Sequence, residues 1–424
     1  MMTIAGMARS YGNRMVRFAA TLLSLALLAL LALGGLLFAS LDGKPLVDRE
    51  ETVSPDAIDQ ARNLLIANDP RRLREGEERV ALIPVTLLDE AINYAASRAL
   101  HGRGALALAG ESAEVRLTVQ FPGVPGYANL RFSFAEGAGE PHLAAARLGE
   151  LPLPAALLER ALDLAVDSSG HGAQWRMARD AVRGLAFDPA RGVVEVRYAW
   201  NPALLDSARA VALDPADVAR IRAAHEAYVA LLGAAPPGGR LGLSGVIGPL
   251  LGGADRTREQ RRAALLVLAS ALAGGNLATI VPDAAAWPKP PRVTLTLRGR
   301  HDSAQHYVVS AALAAWAGEP VATAIGVYKE LEDARRGSGF SFADLAADRA
   351  GTRLGELVAA DAARLDEVLG GELGDADLLP PLDGLPEFLP EAEFRRRYGG
   401  PGEPAYEKVV AGIEGRLSQL PLYR

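Results

Sequence analysis

Cysteine is absent from all 424 residues. Its absence excludes disulfides, thiolate nucleophiles, iron–sulfur clusters and a lipid-modified cysteine together. Aromatic residues are scarce at 6%, so any core has to be built from Ala, Leu and Val. Familiar catalytic signatures are missing as well. There is no Gly-x-Ser-x-Gly and no His-Glu-x-x-His, and the glycine-rich stretch at 238–245 lacks the lysine of a phosphate-binding loop. An excess of positive charge is also lacking, since the net charge is −6. Arg9, Arg14 and Arg17 stand without an acid in residues 1–17, which leaves the rest more acidic still. Nucleic acid is therefore not an expected partner, because binding it needs a basic face to replace its counterions.

What is present begins with an apolar run, Phe18 to Leu41, that carries no charged residue. A helix needs about 20 apolar residues to cross a bilayer core, and a signal peptide's apolar core is about 7–15 residues long. Cleavage after Ala39 would place Leu37 where a small residue is required. The expectation is an uncleaved transmembrane anchor at 18–41, with a cleaved signal as the competing reading. The three arginines before it put residues 1–17 in the cytoplasm and the bulk of the chain in the periplasm, as a single-pass protein of the inner membrane. The apolar stretches at 263–275 and 308–318 are too short to span and read as buried helices.

Residues 42–53 are polar and look like a stalk. Ser54-Pro55-Asp56 has the cap, first-turn proline and acid that start a helix. Alternation of apolar and polar residues at 115–121, 129–134 and 193–200 predicts half-buried antiparallel strands. Pro154 opens a helix with Leu157, Leu158, Ala161 and Leu162 as its stripe. Residues 54–200 thus read as an α+β domain, and 201–300 as a helical connector with one strand at 292–299. Residues 301–356 form a helical motif region, and 357–424 a loop-rich wrap ending in a helix at 404–417. The expected fold class is α+β: an N-terminal transmembrane helix, an antiparallel-sheet α+β domain, then a mainly helical domain.

The chemistry-bearing residues gather in the motif region. Asp302 and His306 fall one helical turn apart, followed by Ser310. A second helix carries Lys329, Glu330 and Asp333, and Gly337-Ser338-Gly339 ends it. Ser341 with Asp344 has the spacing of a capping box, and Asp348 lies one turn further on. If these faces converge, a histidine with several carboxylates can hold a divalent metal or serve as acid and base. His306, Glu330, Asp333, Asp344 and Asp348 are the catalytic candidates, with Asp302, Gln305, Ser310 and Lys329 in support. His306, Asp344 and Asp348 are the candidate metal ligands. A buried structural network, with Asp344 only capping and Lys329–Asp333 an exposed ion pair, accounts for the same residues without catalysis. A surface for a partner is the third possibility.

Residues 302–351 resemble the YfiM-like family of small bacterial envelope lipoproteins. The likeness rests on Asp302, Gln305, His306 and Ser310, on Lys329, Glu330 and Asp333, and on Ser338, Gly339, Ser341, Asp344, Leu345, Asp348 and Gly351. Ser303 and Tyr307 depart from the pattern, and the lipobox cysteine is missing. The resemblance implies an envelope location and a set of motif residues, not a reaction. Residues 148–166 also bear a pattern-level likeness to the strand-then-helix unit of exported lipid-handling domains. The expected function is an inner-membrane-anchored periplasmic protein that binds an envelope lipid or protein partner. The alternative is a metal-dependent hydrolase of an envelope substrate, acting through the His/Asp/Glu cluster.

Overall fold

The computed structural model describes residues 34–36, 38–69, 72–138, 142–204, 213–236 and 238–424. The chain divides into two compact units, one of residues 1–51 and 77–199, the other of 52–76 and 200–424. The second unit therefore takes the first helix, α1 (Pro55–Ala67), capped as expected by Ser54, whose side chain accepts from the Ala57 amide. Sequence order puts α1 beside the strands, but its partner is a helix far along the chain. Tyr328 donates to Asp59 at 3.1 Å, and Arg62 pairs with Glu332 at 3.5 Å.

The first unit runs β1 (Glu78–Pro84), α2 (Val85–Leu100), β2 (Gly102–Ala109), β3 (Ser112–Val119), β4 (Ala128–Ala135), β5 (Gly137–Ala138), β6 (Leu143–Leu148), β7 (Leu151–Leu153), α3 (Ala155–Ser168), α4 (Gly172–Ala181), β8 (Val182–Asp188) and β9 (Val193–Ala199). Two antiparallel sheets result, ordered β2-β3-β4-β6-β7 and β1-β9-β8-β5. The three alternating stretches of the sequence are β3, β4 and β9, where period two puts one side of each strand toward the core. The core is thin, with Ala113, Phe187 and Val194 in one buried cluster and Val119, Ala128 and Leu148 in another. The stretch read as a stalk lies along this unit. Asp42 bridges Tyr127, and the amides of Leu46 and Val47 donate to the Thr118 hydroxyl at 3.1 and 2.9 Å.

The second unit continues with α5 (Pro215–Gly233), β10 (Arg240–Gly242), α6 (Ser244–Leu251), α7 (Arg258–Leu272), β11 (Thr294–Thr296), α8 (His301–Ala317), α9 (Glu319–Arg336), α10 (Phe342–Ala359), α11 (Arg364–Leu369), α12 (Asp375–Leu378), α13 (Glu391–Tyr398) and α14 (Pro404–Leu417). The strand expected at 292–299 is β11, and it pairs in parallel with β10, a segment that carries no alternation of its own. One large core joins α5 through α14, and α6, α7, α8 and α10 supply most of it. The last residues close over it: Tyr423 donates to the Leu378 carbonyl at 2.8 Å, and the Tyr307 and Tyr423 hydroxyls meet at 2.7 Å.

One expectation is overturned. No helix of the described residues is long and apolar enough to cross a membrane. Of the expected span at 18–41, residues 18–33 and 37 lie outside the described residues. In the described part of it, Leu36 and Phe38 are exposed. The fold class is α+β with antiparallel sheets and a helical C-terminal region.

Candidate functional site

The site is built where α8, α9 and α10 meet. α8 and α10 approach so closely that a Cβ on Gly351 would lie 2.0 Å from the Tyr307 carbonyl oxygen, and one on Gly355 2.3 Å from that of Ala311. Glycine permits this approach, and it brings side chains of α8 within reach of Asp348 on α10. His306 Nδ1 stands 3.1 Å from both Asp348 oxygens, and the Ser310 hydroxyl donates to Asp348 Oδ1 at 2.7 Å. From α9, Gly326 leaves room for the carboxylate: a Cβ there would sit 3.0 Å from Asp348 Oδ2.

This pairing fixes the imidazole. A carboxylate only accepts, so Nδ1 carries the proton and Nε2 faces the other way. Around Nε2 lie Glu330 Oε1 and Asp344 Oδ2, each at 3.9 Å, and Lys329 Nζ at 3.2 Å. Lys329 also pairs with Asp333 at 2.8 Å, so Asp333 joins the cluster only through the lysine at its rim. His306, Glu330 and Asp348 are buried, Asp344 is 17% exposed and Lys329 46%, so the cluster opens to solvent on the Asp344 and Lys329 side.

Glu330 does two things. Its Oε2 accepts from the Ser341 amide at 2.9 Å, taking the place that a capping-box reading gives to Asp344. Ser341 itself caps α10 as expected, accepting from the Asp344 amide at 3.1 Å. The other oxygen, Oε1, is buried with no hydrogen-bond partner, and so is Asp344 Oδ1. A buried acceptor without a donor is costly, and the nearest cations, Lys329 Nζ at 3.7 Å from Glu330 Oε1 and Arg300 at 3.7 Å from Asp344 Oδ1, stand beyond hydrogen-bond reach.

The expected cluster forms, with a different division of labour. His306, Glu330 and Asp344 each offer a ligand atom within 4.8 Å of the others. Glu330 thus stands where the sequence reading placed Asp348, which instead orients the histidine. Asp302 is turned away and pairs with Arg300 at 2.8 Å. Gln305 is half-buried and forms no hydrogen bond with the cluster. Two residues the sequence reading missed shape the outer edge. Arg300 binds Glu387 at 2.7 Å and lies 3.7 Å from Asp344 Oδ1. Arg300 adjoins the motif and was legible as a neighbour of Asp302, whereas nothing near Glu387 signals its place.

Burial is the largest influence on His306 and opposes its charge, but the Asp348 and Asp344 carboxylates prevail and raise its pKa to about 9. Burial pushes the Glu330 carboxyl up to about 8, and raises that of Asp344 too. A charged ring would turn an Nε2–H toward the Lys329 ammonium, so protonation requires Lys329 to withdraw onto Asp333. All three raised groups bind protons more tightly in the folded state, so their stabilising contribution is complete below their unfolded pKa values and is lost as pH climbs through the folded ones. With a chelator present, the melting temperature is expected to fall as pH rises between about 4.5 and about 9, and Glu330→Gln is expected to flatten the portion below about 8. A melting temperature that rises across this window would contradict the proton assignment.

No family model, curated protein or solved structure matches the chain. The likeness over residues 302–351 therefore rests on its motif residues alone.

Proposed function

We propose that the helical unit is a metal-dependent hydrolase in which His306, Glu330 and Asp344 hold a divalent cation. The observation that supports this reading is Glu330 Oε1, a buried oxygen without a hydrogen-bond partner, facing His306 Nε2 with Asp344 Oδ2 beside it. Each oxygen stands 3.9 Å from Nε2, close to the ~3.4 Å between neighbouring ligands of a tetrahedral ion with bonds of about 2.1 Å. A histidine whose other nitrogen donates to a carboxylate is the usual outer-shell arrangement of a metal ligand, and Asp348 supplies it. Three protein ligands leave coordination open, which separates a working site from a closed structural one.

A divalent cation there supplies Lewis acidity toward a substrate oxygen. The chain's own groups do the rest. Asp348 and Ser310 hold the ring in one tautomer and orientation. Lys329, on a flexible stem at the open side, offers its ammonium to an anionic substrate once it leaves Nε2. Asp344 is the carboxylate nearest solvent. The likeness of residues 302–351 to an envelope family is the sequence feature that supports a substrate of the cell envelope.

The test uses the full chain. Metal analysis of the purified protein should give about one divalent ion per chain, by the ligand count, and a chelator should lower the melting temperature and abolish hydrolysis. Protein free of metal that neither binds added zinc, manganese or magnesium nor gains stability from them would sink the reading.

A second reading, binding of an envelope lipid or protein partner without turnover, is favoured by α3. None of its residues is buried, and Leu157, Leu162 and Leu164 are 65%, 49% and 62% exposed. Lipid that co-purifies with the chain, with no bound metal, would favour it over hydrolysis.

A further inference from the structure

Lys329 holds the one place on His306 that a divalent ion needs. Its ammonium reaches Nε2 at 3.2 Å, while the Asp348 carboxylate accepts from Nδ1 on the far side of the ring. A neutral imidazole has a single lone pair in its plane, and accepting a hydrogen bond and ligating a metal use that same pair. Nε2 therefore receives either Lys329 or a divalent ion. The ammonium is a poor match for the rest of the pocket. Nζ stays 3.7 Å from Glu330 Oε1, which is left without a hydrogen-bond partner.

A second seat for the ammonium is already in place. Lys329 and Asp333 are one turn apart on α9, and Nζ lies 2.8 Å from Asp333 Oδ2 while it touches Nε2. The two side chains are 46% and 33% exposed. The lysine can therefore leave the ring by rotating a flexible stem, and its charge stays paired and solvated throughout. Asp333 has no contact with the ring of its own, so it acts on Nε2 only through the lysine.

We propose that Lys329 is an internal competitor for the cation at Nε2: the arriving ion expels the ammonium onto Asp333, and departure of the ion lets it return. This regulation rests on the cation site proposed above. Loading of the ion and release of Lys329 are then one event, so the ammonium is free to meet an anionic substrate only when the ion is in place. By the same linkage, whatever holds the expelled lysine favours the ion.

Zinc affinity of the full chain, measured by competition with a chromophoric chelator, tests it. The titration is run just above pH 9, where no proton competes for the ring. Lys329→Met should bind zinc about tenfold more tightly than the wild type, the worth of one displaced hydrogen bond to a charged donor. Asp333→Asn should bind it about two- to fivefold more weakly, as suits a part-exposed ion pair, and the same change should have no effect once Lys329 is methionine. Lys329→Gln removes the same charge and decides the matter if Lys329→Met proves unstable. Zinc bound by the wild type but no more tightly by either Lys329 variant would overturn the competition and leave the cation site standing. An Asp333→Asn effect that is missing in the wild type, or that survives without the lysine, would overturn it as well. No zinc bound by any of these chains would end both readings.

Discussion

Gly351→Ala is expected to destabilise the helical unit by roughly 3 kcal/mol or more, at the upper end of what overpacking a core costs. The added methyl would lie 2.0 Å from the Tyr307 carbonyl oxygen, 2.7 Å from its carbon and 3.0 Å from its Cα. These are backbone atoms inside α8, so no side chain can rotate away, and α8 and α10 must separate. Tyr307 and its neighbours Ala304, Val308 and Ala311 are buried at this contact, so separation opens the main core. The same movement draws His306 away from Asp348, now 3.1 Å distant. Denaturant unfolding of the full chain measures the loss, and the ring resonances of His306 report the broken pair. Wild-type stability, with the His306 resonances unmoved, would show that the helices do not meet as described. Gly412→Ala, whose Cβ would meet nothing within 4 Å, is the control and should leave stability unchanged or slightly raised, since alanine favours a helix over glycine.

Asp348→Asn is the second large effect, and it falls on the chemistry. Asp348 presents two acceptors, which receive His306 Nδ1 and the Ser310 hydroxyl. Asparagine keeps one acceptor and replaces the other with a donor. With the amide nitrogen toward Nδ1, the ring must carry its proton on Nε2, and the lone pair aimed at Glu330 and Asp344 is lost. Divalent-cation affinity should fall by about 10–100-fold, as it does when the partner of a ligating histidine is removed. The His306 pKa should fall as well, because the Asp348 carboxylate is the main influence holding it up against burial. Calorimetric titration with zinc and an NMR titration of the ring read the two effects separately. If zinc affinity is unchanged while the metal-free melting temperature drops, the network is structural and the cation reading fails.

The elements that were legible in the sequence were those whose signal is local. Period-two alternation gave β3, β4 and β9, because one face of each strand meets the core wherever the strand sits. Ser54, Ser341 and Pro55 marked helix starts, because a cap satisfies amides of its own first turn. His306, Ser310, Lys329, Glu330, Asp344 and Asp348 could be picked out because helical spacing places each on a defined face, and such residues in Ala- and Gly-rich helices need partners.

The partners themselves were decided by packing. Whether Asp344 or Glu330 serves the Ser341 amide depends on how α9 lies across the start of α10, and no local spacing encodes that. Asp348, not Asp302, receives His306 because Gly351 and Gly355 let α10 press against α8, while Arg300 draws Asp302 outward. The affiliation of α1 with the second unit, the parallel pairing of β10 with β11 and the placing of Glu387 beside Arg300 are contacts between distant segments. The sequence alone determined which residues are ionisable, which faces are apolar and where helices and strands begin. Tertiary structure alone decided which buried carboxylate oxygens are left without a donor, because that depends on the meeting of three helices, each of which has satisfied its own backbone.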